Sequence, residues 1–249
     1  MRTSTKATLL IGAIGVLVTT GLPGLLPAKN GPALSADNFD FGLVSPNESY
    51  RHVVWLKATG EDTVTVDDIK NCCGVKAQLP ADRAIPPGDS LTVVTYWYTR
   101  GSLGPQSRSL YVYFRPGNAP LEVLFSGTSV TDLDSAASLD IAPQRIRWKS
   151  KAARSDRNSR IRIANNRDRT LAMRLVETSP GLGVEFLDSL AAGAATDVRL
   201  LPDESTLGDT FESSLTLELT GNQTPPLRLS IPVRMGDFSF RPEFTTNGE

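Results

Sequence analysis

The sequence repeats itself: residues 54–129 can be laid on residues 161–235 at an offset of about 105 to 107 positions. Self-similarity on this scale constrains architecture more than any single motif, because each copy has to bury its own core. Leu56 through Val64 (LKATGEDTV) matches Ile163 through Leu171 (IANNRDRTL), a strand, a polar turn and a second strand in both copies. Pro87-Gly88 falls on Ala192-Gly193, Ser109–Phe114 on Ser214–Leu219, and Pro120–Val123 on Pro226–Leu229. Two like domains follow.

From Ala33 onward short alternating runs are broken about every 8 to 12 residues by Gly, Pro, Asn and Asp, and helix signals are nearly absent. The alternation predicts strands at 39–44, 50–58, 63–69, 75–79, 90–98, 107–114 and 121–130 in the first copy. The second copy gives 139–148, 159–164, 171–178, 184–187, 196–201, 213–219 and 227–235. The expected fold is all-β: two tandem immunoglobulin-like β-sandwiches after an N-terminal apolar helix. The domains run 33–131 and 139–236, joined by a small, polar linker at 132–138 and followed by a tail at 237–249.

Residues 1–32 read as a leader. Arg2 and Lys6 precede an uncharged stretch, Ala7–Leu26, before Lys29-Asn30, the order of an export signal. Pro23-Gly24 shortens the helical part to a length between that of a signal and that of a span, so a cleaved signal peptide and an uncleaved transmembrane anchor both fit. Either way the remainder is extracytoplasmic, in the periplasm or cell envelope. With no Cys near this segment, a lipid-modified cysteine anchor is excluded.

Phe39–Val44 (FDFGLV), Lys57–Gly60 (KATG), Asn71–Gly74 (NCCG), Ile85–Ser90 (IPPGDS) and Phe125–Gly127 (FSG) resemble a bacterial family of exported immunoglobulin-like domains. It is known only as domain of unknown function fifteen-seventy-three, and is similar to Hydin-type and major-sperm-protein-like modules. The resemblance covers about residues 37–130 and, more weakly, the second copy. It implies fold and export and supplies no catalytic residues. The family pattern is Cys-Gly-Cys followed by Thr, whereas this chain has Cys72-Cys73-Gly74-Val75 and departs from that thiol spacing.

Chemistry-bearing constellations are sparse. Cys72 and Cys73 are adjacent, so a bond between them would be strained; the pair could act as a redox switch or bind a soft metal with outside help, or be a packed loop pair. A closed zinc site needs about four ligands, and the chain has one histidine, His52, inside a strand. Hydrolytic triads therefore have little material, and His52 reads as a satisfied strand histidine. No phosphate loop, dinucleotide fingerprint or metal-protease helix is present. The residues assign no catalytic group, no metal and no cofactor, and the chain reads as a non-enzyme.

Two surfaces remain. Aligning the copies turns Tyr111 and Tyr113 outward on one strand and Tyr96 and Tyr98 outward on another, with Trp97 inward. If the two strands share a sheet they make one binding surface; in the usual immunoglobulin arrangement they lie on opposite faces. Alternation also places Arg145, Arg147, Lys149, Arg160 and Arg162 on a basic outer face of the second domain. That face could meet anionic lipid or envelope polymer, or pair across strands with the acidic stretch 182–220. Lys plus Arg 26 against Asp plus Glu 27 makes the whole chain no obvious polyanion binder, and export makes nucleic acid an improbable partner.

The expectation is a non-catalytic binding or structural module of the cell envelope, held to the membrane through its N-terminal segment and partnered by protein or envelope polymer. The alternatives are a vicinal-thiol redox or copper-handling protein and a carbohydrate-binding envelope protein.

Overall fold

The alternating runs fold almost wholly into strands. The computed structural model describes residues 34–71, 74–117, 119–149, 159–203, 210–221 and 225–236. The expected leader, Cys72, Cys73 and the expected tail lie outside the described residues. Among the described residues no helix is long and apolar enough to cross a membrane.

The N-terminal half contains β1 (Leu34–Ser35), β2 (Phe39–Val44), β3 (Ser49–Ala58), β4 (Val64–Asn71), β5 (Val75–Gln78), β6 (Ala84–Ile85), β7 (Ser90–Tyr98), β8 (Gly104–Arg115) and β9 (Leu121–Ser129). After α1 (Leu133–Ala137), the C-terminal half contains β10 (Leu139–Ala142), β11 (Ile146–Trp148), β12 (Arg160–Asn165), β13 (Leu171–Glu177), β14 (Leu182–Glu185), β15 (Ser189–Leu190), β16 (Ala195–Pro202), β17 (Phe211–Thr220) and β18 (Leu227–Met235).

The two halves use the same pairings. The order β1-β3-β7-β5 forms one four-stranded sheet and β10-β12-β16-β14 its counterpart. In the opposite layer β6-β4-β8-β9-β2 corresponds to β15-β13-β17-β18-β11, and the parallel pairs β2–β9 and β11–β18 match. Registers agree as well: Val54 opposes Val93 and Ile161 opposes Val198, as the sequence offset requires. The turn before β7 recurs before β16. Gly88 donates to the Ala58 carbonyl at 3.1 Å and Gly193 to that of Asn165 at 2.9 Å, each glycine at positive φ.

Each half closes its two layers over a separate core. Phe41, Tyr50, Trp97 and Phe125 anchor the first, with ring centroids of Phe41 and Trp97 5.3 Å apart. Tyr50 is fully buried; its hydroxyl accepts the Ser45 N–H at 2.7 Å, and burial pushes its phenol well above the ordinary value. The second core is built on Leu215, Leu217, Leu219, Ile231 and Val233, with Trp148 its one buried aromatic among the described residues and Phe186 and Phe211 packed at its margin.

Three features differ from the sequence expectation. Among the described residues each half has nine strands where seven were expected: the two-residue β1, β6 and β15 escape a periodicity argument, and one expected strand is divided. The single strand expected over 139–148 is broken around Pro143: β10 pairs with β12 in one layer and β11 with β18 in the other. The expected linker is a capped helical turn. Asp132 accepts the N–H groups of Asp134 and Ser135, while Leu133 and Ala137 are buried in the second core.

One pairing has no counterpart in the repeat. Strand β18 runs parallel to β2, with Leu229 opposite Leu43, and fuses the two large layers into a ten-stranded sheet. Gly42, at φ +68°, makes this possible: a Cβ there would run into the backbone carbonyl of Arg228.

Candidate functional site

The seam between the halves is built where β3 lies over the outer face of β17 and β18. Residues 213–219 of β17 and 229–235 of β18 are buried without interruption, the mark of strands covered on both faces. The outer face carries Ser214, Thr216, Glu218, Ser230 and Arg234, so the contact is polar and hydrogen-bonded. Ser214 Oγ takes the N–H of Arg51 at 3.1 Å and donates to its carbonyl at 3.0 Å. Ser230 donates to the carbonyl of Phe41 at 2.8 Å. The two Ser214 bonds satisfy the outward edge of β3 with a side chain in place of another strand, while the Ser230 bond ties β2 to the same face.

Two ionic contacts flank this edge. At one end Glu48, only 1% exposed, receives Arg145 at 2.9 Å and Arg147 at 3.1 Å, with Arg234 at 3.5 Å. Further along, Glu177 at the end of β13 takes the Val53 N–H at 2.9 Å and lies 2.5 Å from Nδ1 of His52. The His52 ring stacks on Phe39, with centroids 4.0 Å apart. His52 is thus the satisfied strand histidine the sequence suggests.

Beyond Glu177 the seam opens into a largely apolar cleft of about 910 Å³. Its floor is the outer face of β3 and β7, including Val53, Trp55 and Val94, and its wall is the segment Leu175–Pro180. Trp55 is 62% exposed, unusual for the largest apolar side chain. Its outward direction is legible in the alternation, in which Trp55 falls between the inward Val54 and Leu56, but nothing in the sequence singles it out from the other outward residues of the strand.

The expected tyrosines separate. Tyr96 and Tyr98 lie on β7, on the same sheet as Trp55, whereas Tyr111 and Tyr113 lie on β8 in the opposite layer. The four make two faces. Tyr111 donates to Glu122 at 3.1 Å, and Lys70 lies 5.1 Å from the Tyr113 ring centre. Their counterparts Thr216 and Glu218 also point away from the core, but the seam buries them.

The expected basic face is likewise divided, and this corrects the sequence reading. Arg147 on β11 of the large sheet and Arg145 just before it are committed to Glu48, while Arg160 and Arg162 lie on β12 in the other layer. Lys149 is exposed just past β11. Arg160 pairs with Asp197 at 3.5 Å, and Arg174 and Arg228 hold Glu218 at 2.7 and 2.8 Å. Those two guanidiniums, Arg174 foremost, keep the Glu218 carboxyl below the usual carboxylate range. Alternation gave the direction of each side chain but not which layer its strand joins. Among the described residues no group of three or more His, Cys, Asp or Glu side chains could hold a metal ion.

Among curated proteins none matches the sequence. Solved structures similar to the chain include a protein of unknown function from Porphyromonas gingivalis W83, 14% identical over 82% of this chain and 99% of that one, with a TM-score of 0.33. The CupB2 chaperone of Pseudomonas aeruginosa is 12% identical over 79% and 99%, with a TM-score of 0.29. The ASH/PapD-like domain 7 of human CEP192 is 14% identical over 49% and 99%, with a TM-score of 0.31. The resemblance carried by Phe39–Val44 and Ile85–Ser90 holds over the N-terminal half: residues 33–129 match the family described as protein of unknown function (DUF1573).

Proposed function

We propose that the chain consists of two tandem immunoglobulin-like sandwiches, exported by the leader at 1–32, and serves as a non-catalytic binding module of the bacterial cell envelope. The observation that carries this reading is the cleft beside the seam. Its floor presents the exposed Trp55, and the seam bonds of Ser214, Glu177 and Glu48 hold its wall against that floor. Exposed apolar surface of this kind, fixed on a stiff scaffold, marks a recognition site. The continuous sheet through β2 and β18 supports a pair of sandwiches that presents the cleft as one surface.

The test compares the exported chain with its Trp55→Ala variant in binding to isolated envelope fractions, both cell-wall polymer and membrane protein. The expected result is retention of the parent on one fraction and loss in the variant, with thermal unfolding unchanged because Trp55 is exposed. Equal retention of both proteins would remove the cleft as the site.

A further inference from the structure

We propose that the outward face of the β1-β3-β7-β5 sheet binds an acidic polysaccharide, a chain of sugar rings bearing carboxylate groups. This rests on the cleft being the recognition site and names what it recognises.

The first observation is charge. The four strands read LS, SYRHVVWLKA, VKAQ and SLTVVTYWY and contain no Asp or Glu. Arg51, Lys57 and Lys76 point outward from them. The fold does not impose this bias. The counterpart sheet of the C-terminal half interleaves Asp140, Glu185 and Asp197 with Arg160, Arg162 and Arg199, and pairs Arg160 with Asp197. The carboxylate lining the cleft, Glu177, is already engaged by His52 and the Val53 N–H.

The second observation is the order of side chains across the face. Trp55 opposes Thr92, Val53 opposes Val94, and Arg51 opposes Tyr96, which has Lys76 on its other side. An exposed indole therefore lies at one end and a tyrosine between two cations at the other. Four residues separate Trp55 from Arg51, about 13 Å along the strand. Flat aromatic faces stack on the C–H faces of sugar rings, and guanidinium and ammonium groups pair with ring carboxylates. Trp55, Lys57, Thr92 and Lys76 are exposed on this face and Tyr96 is half-buried, which leaves room for a polymer laid across it.

An extended acidic peptide fits less well. Such a chain gains affinity by pairing with a free sheet edge. Beside the cleft, the edge of β3 is occupied, the backbone of Arg51 by Ser214 and the N–H of Val53 by Glu177.

The experiment is affinity electrophoresis of the exported chain through gels containing polygalacturonate, dextran or polyglutamate, at two salt concentrations. Retardation by polygalacturonate alone is expected, weakening as salt rises. Trp55→Ala should weaken it about tenfold, and Lys57→Glu should weaken it and flatten its salt dependence, both variants keeping the parent's melting temperature. Equal retardation by dextran, equal retardation by polyglutamate, or no retardation by any of the three overturns the proposal. If polygalacturonate fails while Trp55→Ala still abolishes binding to an envelope fraction, the sugar is wrong and the cleft stands. If that variant leaves envelope binding intact, the cleft itself falls.

Discussion

Gly42 meets the backbone of Arg228 with no room for a side chain between them, and this contact joins the two halves of the molecule into one sheet. The position combines positive φ with close backbone approach, so alanine there is penalised twice. Gly88 offers a comparison, being also at positive φ (+78°) but with nothing within 4 Å of a built Cβ. Gly88→Ala should cost about 1 kcal/mol of unfolding free energy, from backbone strain alone. Gly42→Ala should cost about 3 kcal/mol or more, because β2 and β18 have to part. Urea unfolding of both variants checks this; similar losses would show that the seam contributes little.

Glu48 tests the ionic end of the same seam. Its carboxylate is buried against Arg145 and Arg147, with Arg234 alongside. Removing Glu48 leaves the exposed Arg145 and Arg147 to solvent but deprives the buried Arg234 of a carboxylate partner, at a cost of about 3 kcal/mol. Glu48→Ala should therefore lower stability by about that amount, whereas Asp197→Ala, which breaks the exposed pair with Arg160, should change it by less than about 1 kcal/mol. Calorimetric unfolding decides the matter, and equal effects would refute burial as the source of the difference.

The repeat made the fold of each half legible because equivalent residues meet equivalent demands. Ala58 and Asn165 each close the same turn, and the Val54–Val93 register returns as Ile161–Val198. The seam was not legible, since it joins surfaces that are not equivalent: β3 of one copy lies on β17 and β18 of the other, a contact the alignment cannot contain. Glu48 reads in sequence as a loop carboxylate, and Arg145 and Arg147 as exposed cations; only the packing brings them together. Trp55 was within reach of the alternation. The layer of β11, and with it the split of the basic face, depended on a break around Pro143 that a continuous alternating run conceals.

Glu177 joins the seam to the cleft, and its loss should be felt in both. The variant Glu177→Ala leaves the Val53 N–H without its acceptor and His52 without its partner. One unsatisfied buried group costs about 1 to 3 kcal/mol. The amide of Val53 should then exchange with solvent faster, while amides in the second core, such as Leu217, keep their protection. Hydrogen exchange followed residue by residue provides the measurement. Unchanged exchange at Val53 would mean that the Glu177 carboxylate does not hold the β3 edge.

Acid should loosen the β13-β17-β18 face of the second half through Glu218. Arg174 and Arg228 hold its carboxyl below the ordinary range in the folded chain, whereas in the unfolded chain a glutamate titrates at about 4.3. A depressed folded value means that the unfolded state binds the proton first. The stabilisation is therefore fully present above the unfolded value and is lost as pH falls from about 4.3 through the folded value. In urea titrations carried from neutral pH into this acid range, the wild-type midpoint should drop more steeply than that of Glu218→Gln, which has no carboxylate to protonate. The variant should be the less stable protein at neutral pH, and the two curves should converge in acid. Parallel curves would mean that the Arg174–Glu218–Arg228 bridge adds no pH-dependent stability, leaving the neutral contacts of Ser214 and Ser230 to hold this face of β17 and β18 against the first half.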